Sequence, residues 1–417
     1  MSRTIVFRGA ALAATLLAGG AGLAAQESGT PPPVPLPGRY DGGYLVFQSA
    51  DSAFKYWLDG RIQIDNAWYT DSKNSLANGT ITRRARLGVK TTLFTDWQGE
   101  IDVDFAGNAL DVKDLWIGYA GFSNSLIRIG NFKEPFSLET LTSSKYITFM
   151  ERSYVDAMSP DRHIGMSYSH WGDRWQVSGG IFGQEVGDVD ATGKDEGWGA
   201  TARFTAAPIL TGTHVLHVGI ATSRRTPNAA ATSNRMRFRA RPETYVNQAR
   251  FLSTGQIANV KYSSYYNAEL AAVSGPVSLQ GEYTRVDVHR LIGLPMASFN
   301  GGYVFVSYFL TGESRRYLPQ EGEFDRVYPH SKHGAWEVAA RVSTLDLNDF
   351  TSGVGILGGQ GTNYTLGLTW YVNPNFKFMG NYVRVTTDVH SIPDAGSAPF
   401  TPGDDFNVFQ FRAALAL

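Results

Sequence analysis

The chain of 417 residues has no cysteine, so it can form neither disulfides nor thiolate metal centres. Charge is sparse, with Asp, Glu, Lys and Arg making up 18% and a formal net charge of −1. A bulk basic face for nucleic acid is therefore excluded. Beyond the first 25 residues no run of about eighteen apolar residues occurs, which excludes a membrane-spanning helix. What is abundant instead is glycine (45) together with tyrosine (20), phenylalanine (24) and tryptophan (9).

The N-terminus has the three parts of a secretory signal. Arg3 and Arg8 supply the positive region, Ala10 to Leu17 the apolar core, and the small residues around Ala24 and Ala25 a cleavage site. Residues 1–25 are read as removed on export. Residues 26–53 follow as a linker and an N-terminal hairpin, the linker stiffened by Pro31, Pro32, Pro33, Pro35 and Pro37.

From Phe54 to Leu417 the dominant signal has a period of two. Phe54, Tyr56, Leu58, Ile62, Ile64 and Trp68 share one face, with Lys55, Asp59, Arg61, Gln63 and Asp65 on the other. About sixteen such segments recur, many of them 9–11 residues long, the length at which a tilted strand crosses a bilayer. Tight connections such as Ser274-Gly275-Pro276 alternate with long polar ones such as Asp188–Glu196, Ser223–Asn259, Glu313–His333 and Val389–Asp405. Aromatic residues gather near segment ends (Trp57, Trp68, Tyr69, Trp97, Trp370, Tyr371), as an interfacial girdle would. The pattern predicts an all-β fold: an antiparallel transmembrane β-barrel, apolar outside and polar inside, in contact with outer-membrane lipid.

Two stretches depart from plain wall. Arg235, Arg237, Arg239 and Arg241 recur at every second residue, which on an extended chain puts all four guanidinium groups on one side, about 7 Å apart. From Thr222 to Arg250 the only acid is Glu243, so this loop is expected to reach into the lumen. The second stretch, Lys133 to Arg152, breaks the alternation with charges and small polar residues. Irregular backbone at membrane depth is tolerated only where it lines water or packs on protein, so it too is expected inside the barrel. Across the wall, Glu100, Asp102 and Asp104 are expected to pair with Arg84 and Arg86 on a neighbouring strand.

No residue set suggests an enzyme. His163, His170, His214, His217, His289, His330, His333 and His390 are scattered, and no serine motif accompanies any of them. His214 and His217 fall on opposite faces of a strand, so they form no metal pair, and His330-Ser331-Lys332-His333 is read as a solvated loop. No cofactor or metal is expected.

Several motifs resemble the phosphate-selective porin O/P family. They include Gly60-Arg61-Ile62-Gln63-Ile64-Asp65, Arg83-Arg84-Ala85-Arg86-Leu87-Gly88 and Gly130-Asn131-Phe132-Lys133-Glu134-Pro135-Phe136-Ser137-Leu138-Glu139. Ser143-Ser144-Lys145, Arg239-Ala240-Arg241-Pro242-Glu243 and Leu279-Gln280-Gly281-Glu282-Tyr283 follow in the family's order. The resemblance implies a sixteen-stranded outer-membrane barrel, a homotrimer, with inward-folded loops and passive passage of small anions such as phosphate or polyphosphate. It implies constriction cations at Arg61, Arg83 and Arg84, joined by Arg86, Lys133 and Lys145, and an arginine ladder at Arg235, Arg237, Arg239 and Arg241. Phosphate-selective members carry lysines where this chain has Gln98 and Thr140. The expectation is a pore that prefers anions but holds phosphate weakly, with a general diffusion or sugar porin on the same fold as the alternative.

Overall fold

The computed structural model describes residues 38–41, 43–187, 195–229, 234–291, 293–351, 353–391 and 400–417. The expected signal and most of the proline-rich linker, residues 1–37, lie outside the described residues.

The chain begins with β1 (Gly38–Asp41) and β2 (Tyr44–Gln48), a small hairpin. The wall then runs through β3 (Phe54–Thr70), β4 (Gly79–Leu93), β5 (Trp97–Asp104), β6 (Asp111–Tyr119) and β7 (Ser125–Lys133). It continues with β8 (Arg162–Trp171), β9 (Trp175–Phe182), β10 (Gly199–Leu210) and β11 (His214–Arg225). Two short strands, β12 (Arg239–Ala240) and β13 (Leu252–Ser253), pair with each other inside the next connection. The wall resumes with β14 (Val260–Ser274), β15 (Val277–Arg290) and β16 (Ala297–Phe309). After the short pair β17 (Tyr317–Leu318) and β18 (Glu323–Phe324) come β19 (Ala335–Asp349), β20 (Ile356–Tyr371), β21 (Phe376–Thr387) and β22 (Phe406–Ala416).

Every wall strand is antiparallel to its neighbours, and β22 closes on β3 from Asn407↔Thr70 to Ala416↔Arg61. Sixteen strands thus form a barrel with no free edge. In lipid this closure is obligatory, because an unpaired backbone amide there costs several kcal/mol. β3 is long enough to serve two partners on one edge, β22 on its second half and the hairpin strand β2 on its first.

The wall is inside-out by the standard of a water-soluble protein. Along β3, Ile62 and Ile64 are 46% and 47% exposed, while Arg61, Gln63 and Asp65 are buried. The same parity puts Tyr364, Leu366 and Leu368 outward on β20, with Asn363, Thr365 and Thr369 inward. Parity also corrects part of the expected girdle. Trp68 faces out, but its neighbour Tyr69 is buried and bonds Thr244, and Tyr371 points inward to Glu337. Adjacent strand residues cannot share a face.

Antiparallel order assigns each connection to one end of the barrel. The connections after β4, β6, β8, β10, β14 and β20 are short and share an end with the C-terminus. The long segments 134–161 and 226–259 leave from the opposite end. Residues 310–334 do not: they join β16 to β19 and so belong to the short-turn end. Length alone had grouped Glu313–His333 with the long loops, and the strand order corrects it.

Candidate permeation site

Three segments fold into the lumen, and each is fastened by side chains of the wall. The first, 134–161, begins with a single helical turn, α1 (Leu138–Leu141), capped by Ser137, whose hydroxyl accepts from the Thr140 amide at 3.2 Å. The Leu138 and Glu139 amides donate to the carboxylate of Glu282 on β15 at 3.1 and 2.7 Å. Phe136, Leu138, Phe149, Met150, Tyr154 and Met158 are fully buried against the inner wall. At the far end of the turn, Lys133 donates to the carbonyls of Thr140 and Leu141.

The second segment, described over residues 226–229 and 234–259, carries the arginine row. Met236 bridges Ile257, and β12 pairs β13, so Arg235 to Arg241 is extended. Met236, Phe238 and Ala240 pack against inner-wall residues that include Val286, Phe299 and Leu345. The arginines alternate with them on the other side. Arg239 and Arg241 line the lumen cavity, whereas Arg235 and Arg237 are exposed and lie outside it. Glu243 anchors the segment to the wall, bonding Arg341 and Thr365 while its carbonyl accepts from Gln410.

The third segment, 310–334, enters from the short-turn end. Arg203 on β10, paired with Glu269 at 2.7 Å, donates to the Gly322 carbonyl at 2.8 Å. Gly322 has φ +64°, and a Cβ there would meet Arg203 Nη1 at 2.9 Å, so only glycine fits this approach. His217 bonds Tyr317 at 2.7 Å. Arg326 donates to the Gly43 carbonyl at 2.9 Å and stacks on Tyr44, tying this segment to the N-terminal hairpin.

These segments and the wall from β3 to β8 enclose a cavity of about 770 Å³. Arg61, Arg83, Arg84, Arg86, Lys133 and Lys145 all line it. That Arg83 and Arg84 both do so requires a β-bulge: Gln63 pairs Arg84 and Ile64 pairs Thr82, so Arg83 is the extra residue. Without it, one of the two would face lipid.

Of the expected constriction cations, all but Lys133, which bonds backbone carbonyls, lie within 4 Å of a carboxylate. Arg61 lies 3.4 Å from Asp59 and 3.3 Å from Asp102 and donates to Ser144 at 2.9 Å. Lys145 bonds Asp59 at 2.9 Å. Arg83 grips Glu151 through two bonds of 2.8 and 3.0 Å, and Arg86 bonds Asp104 at 2.8 Å. Arg84 was expected opposite the acids of β5. Instead it bonds Gln63 at 2.7 Å and lies 3.6 Å from Glu151, because the β4–β5 pairing ends at Arg86↔Asp104 and leaves Arg84 beside β3 and the inserted loop. Glu151 lies outside the wall strands. Burial works against its ionisation, but the guanidinium groups of Arg83, Arg84 and Arg412 outweigh it and hold the carboxyl well below its usual range.

Sequence reasoning did not single out Lys113, Arg128, Arg162 and Arg316, which also line the cavity, as do Lys90 and, from the stretches expected inside the barrel, Arg152 and Arg250. Strand parity could have found Arg128, an inward residue of β7. Together the lining carries eleven arginines and four lysines against ten carboxylates, a surplus of positive charge. The two positions without the family's lysines both fall outside this lining. Thr140 is buried and bonds Asp156 at 2.9 Å, and Gln98 sits on β5 opposite Thr92.

The model of the family "Phosphate-selective porin O and P" matches residues 57–416. The chain belongs to this family. It is an outer-membrane porin, a channel and not an enzyme. Porin O of Pseudomonas aeruginosa is 28% identical over 386 residues, covering 83% of this chain and 86% of that protein. An uncharacterised protein of Caulobacter vibrioides is 30% identical over 357 residues, 82% of this chain and 70% of that one. Among solved structures, in-vitro folded OmpT of Vibrio cholerae matches with TM-score 0.55 at 13% identity, over 88% of this porin and 98% of OmpT. The outer-membrane channel DcaP of Acinetobacter baumannii matches with TM-score 0.51 at 13% identity, over 88% and 99%. At such identities these structures speak for the barrel fold alone.

Proposed function

We propose that this porin passes small oxyanions of the phosphate class in preference to cations, through a lumen whose arginines replace part of the anion's hydration shell. The observation that carries the reading is the surplus of cationic side chains around the cavity. Arginine keeps its charge at every physiological pH, so the surplus does not titrate away. In this reading the row Arg235, Arg237, Arg239 and Arg241 leads anions from the exposed mouth to the constriction at Arg61, Arg83, Arg84, Arg86, Lys133 and Lys145. Passage is passive, and the working form is a homotrimer, as the family resemblance implies. Export depends on cleavage of residues 1–25.

One observation favours a second reading, a general diffusion pore. Arg61, Arg83, Arg84 and Arg86 each already lie within 4 Å of a carboxylate, which lowers what they offer a passing anion. Reversal potentials across planar bilayers bathed in a potassium chloride gradient separate the two. The proposal expects the chloride potential to dominate and added phosphate to reduce the conductance. Equal permeability with no effect of phosphate refutes it in favour of the second reading.

A further inference from the structure

The Tyr245 ring touches both the arginine row and the expected constriction. The Arg83 guanidinium carbon lies 3.6 Å from its ring centroid and that of Arg241 4.6 Å, so the two are no more than about 8 Å apart. Arg83 comes from the wall, at the bulge in β4, and Arg241 from the inserted segment. Two cations so close repel each other. The electron-rich face of an aromatic ring attracts each of them and offsets that repulsion.

The ring's place is fixed from both sides. Glu243, two residues before it, is bonded to Arg341, Thr365 and Gln410 of the wall. Thr244 and the Asn247 amide bond the Tyr69 hydroxyl at 2.8 and 3.0 Å. Gln248 accepts from Arg241 at 2.6 Å and donates to the Tyr245 carbonyl at 2.8 Å, so row and ring are tethered together.

We infer that Tyr245 is a positioning residue that joins the arginine row to the constriction, holding Arg241 and Arg83 at a spacing one oxyanion can bridge. Charge-assisted hydrogen bonds of about 2.8 Å to two oxygens of one tetrahedral anion reach across a separation within that limit. An anion at Arg241 is then within reach of Arg83 before it leaves, and the step costs no intermediate rehydration. The inference rests on the anion-porin reading and adds to it a residue that carries no charge.

The test uses the full-length porin in planar bilayers. Tyr245→Leu keeps an apolar side chain but removes the ring. Its anion-over-cation permeability ratio is expected to fall, and its half-blocking phosphate concentration to rise, by about three- to fivefold. Tyr245→Phe restores both, which a role of the hydroxyl would not produce, and Tyr245→Met behaves like Tyr245→Leu, which mere filling of space would not produce. Heat-modifiable mobility on gels confirms folding; if Tyr245→Leu does not fold, Tyr245→Met is read in the same way. A selective wild type whose selectivity survives loss of the ring overturns the inference alone, as does a Tyr245→Phe that behaves like Tyr245→Leu. A wild type without anion preference overturns the anion-porin reading and the inference with it.

Discussion

Replacing Glu151 by glutamine removes a carboxylate shared by three arginines, and its effect on anion binding can be worked from distances. Glu151 accepts from Arg83 at 2.8 and 3.0 Å and from Arg412 at 2.6 Å, and lies 3.6 Å from Arg84. Arg412 keeps its two bonds to Asp65, so Arg83 and Arg84 are the ones released. Glutamine retains the shape, and the weakened bonds cost about 1–3 kcal/mol, which a closed barrel tolerates. An anion held by Arg83 and Arg84 sits about 5 Å from the missing charge. Repulsion at that distance is about 0.8 kcal/mol in bulk water and about 3 kcal/mol at an effective dielectric of 20. Affinity should therefore rise between about fourfold and about two-hundredfold, and nearer tenfold in a wet lumen. The assay is the half-blocking phosphate concentration for Glu151→Gln against wild type, at low salt because 1 M salt screens beyond about 3 Å. The three guanidinium groups keep Glu151 ionised across neutral pH, so a whole charge is compared. Unchanged or weaker block would refute the reasoning, since the arginines would then not be the anion's ligands.

Introducing lysine at both Gln98 and Thr140 should leave phosphate block nearly unchanged, because both positions fall outside the cavity lining and an ammonium at 140 would pair with Asp156; the same bilayer titration checks it, and a much tighter block would show that the new lysines reach the anion. Anion preference should increase on acidification from pH 8 to pH 6. Burial, and then the neighbouring Glu321, push the Glu323 carboxyl up to about 7, so a falling pH neutralises a negative charge in the cavity lining. Reversal potentials at the two pH values check this, and Glu323→Gln should flatten the difference.

The wall was legible because lipid makes a demand that parity alone can meet. Where β3 and β20 cross the hydrocarbon, their outward residues, such as Ile62 and Ile64 or Tyr364, Leu366 and Leu368, must be apolar, and a slip of one residue would bury a charge there. The arginine row was legible for a related reason: Met236, Phe238 and Ala240 need a wall to pack on, which leaves their odd-numbered neighbours one side to occupy. The lumen obeys no such period. Arg341 meets Glu139 across 202 residues of sequence, and Leu138 meets Glu282 across 144, so no local pattern announces either partner. The bulge that turns Arg83 inward is one extra residue in an alternation already interrupted by the arginine pair. The end at which 310–334 enters depends on the count of all preceding strands rather than on anything within that segment. Loop length is thus a poor guide to side, and charge a poor guide to availability. What the sequence offers as a set of cations becomes, in three dimensions, a set in which Arg61, Arg83, Arg84, Arg86 and Lys145 each lie within 4 Å of a carboxylate. In the proposed anion-porin reading, selectivity turns on the residues that hold them, Glu151 and Tyr245 among them, as much as on the arginines.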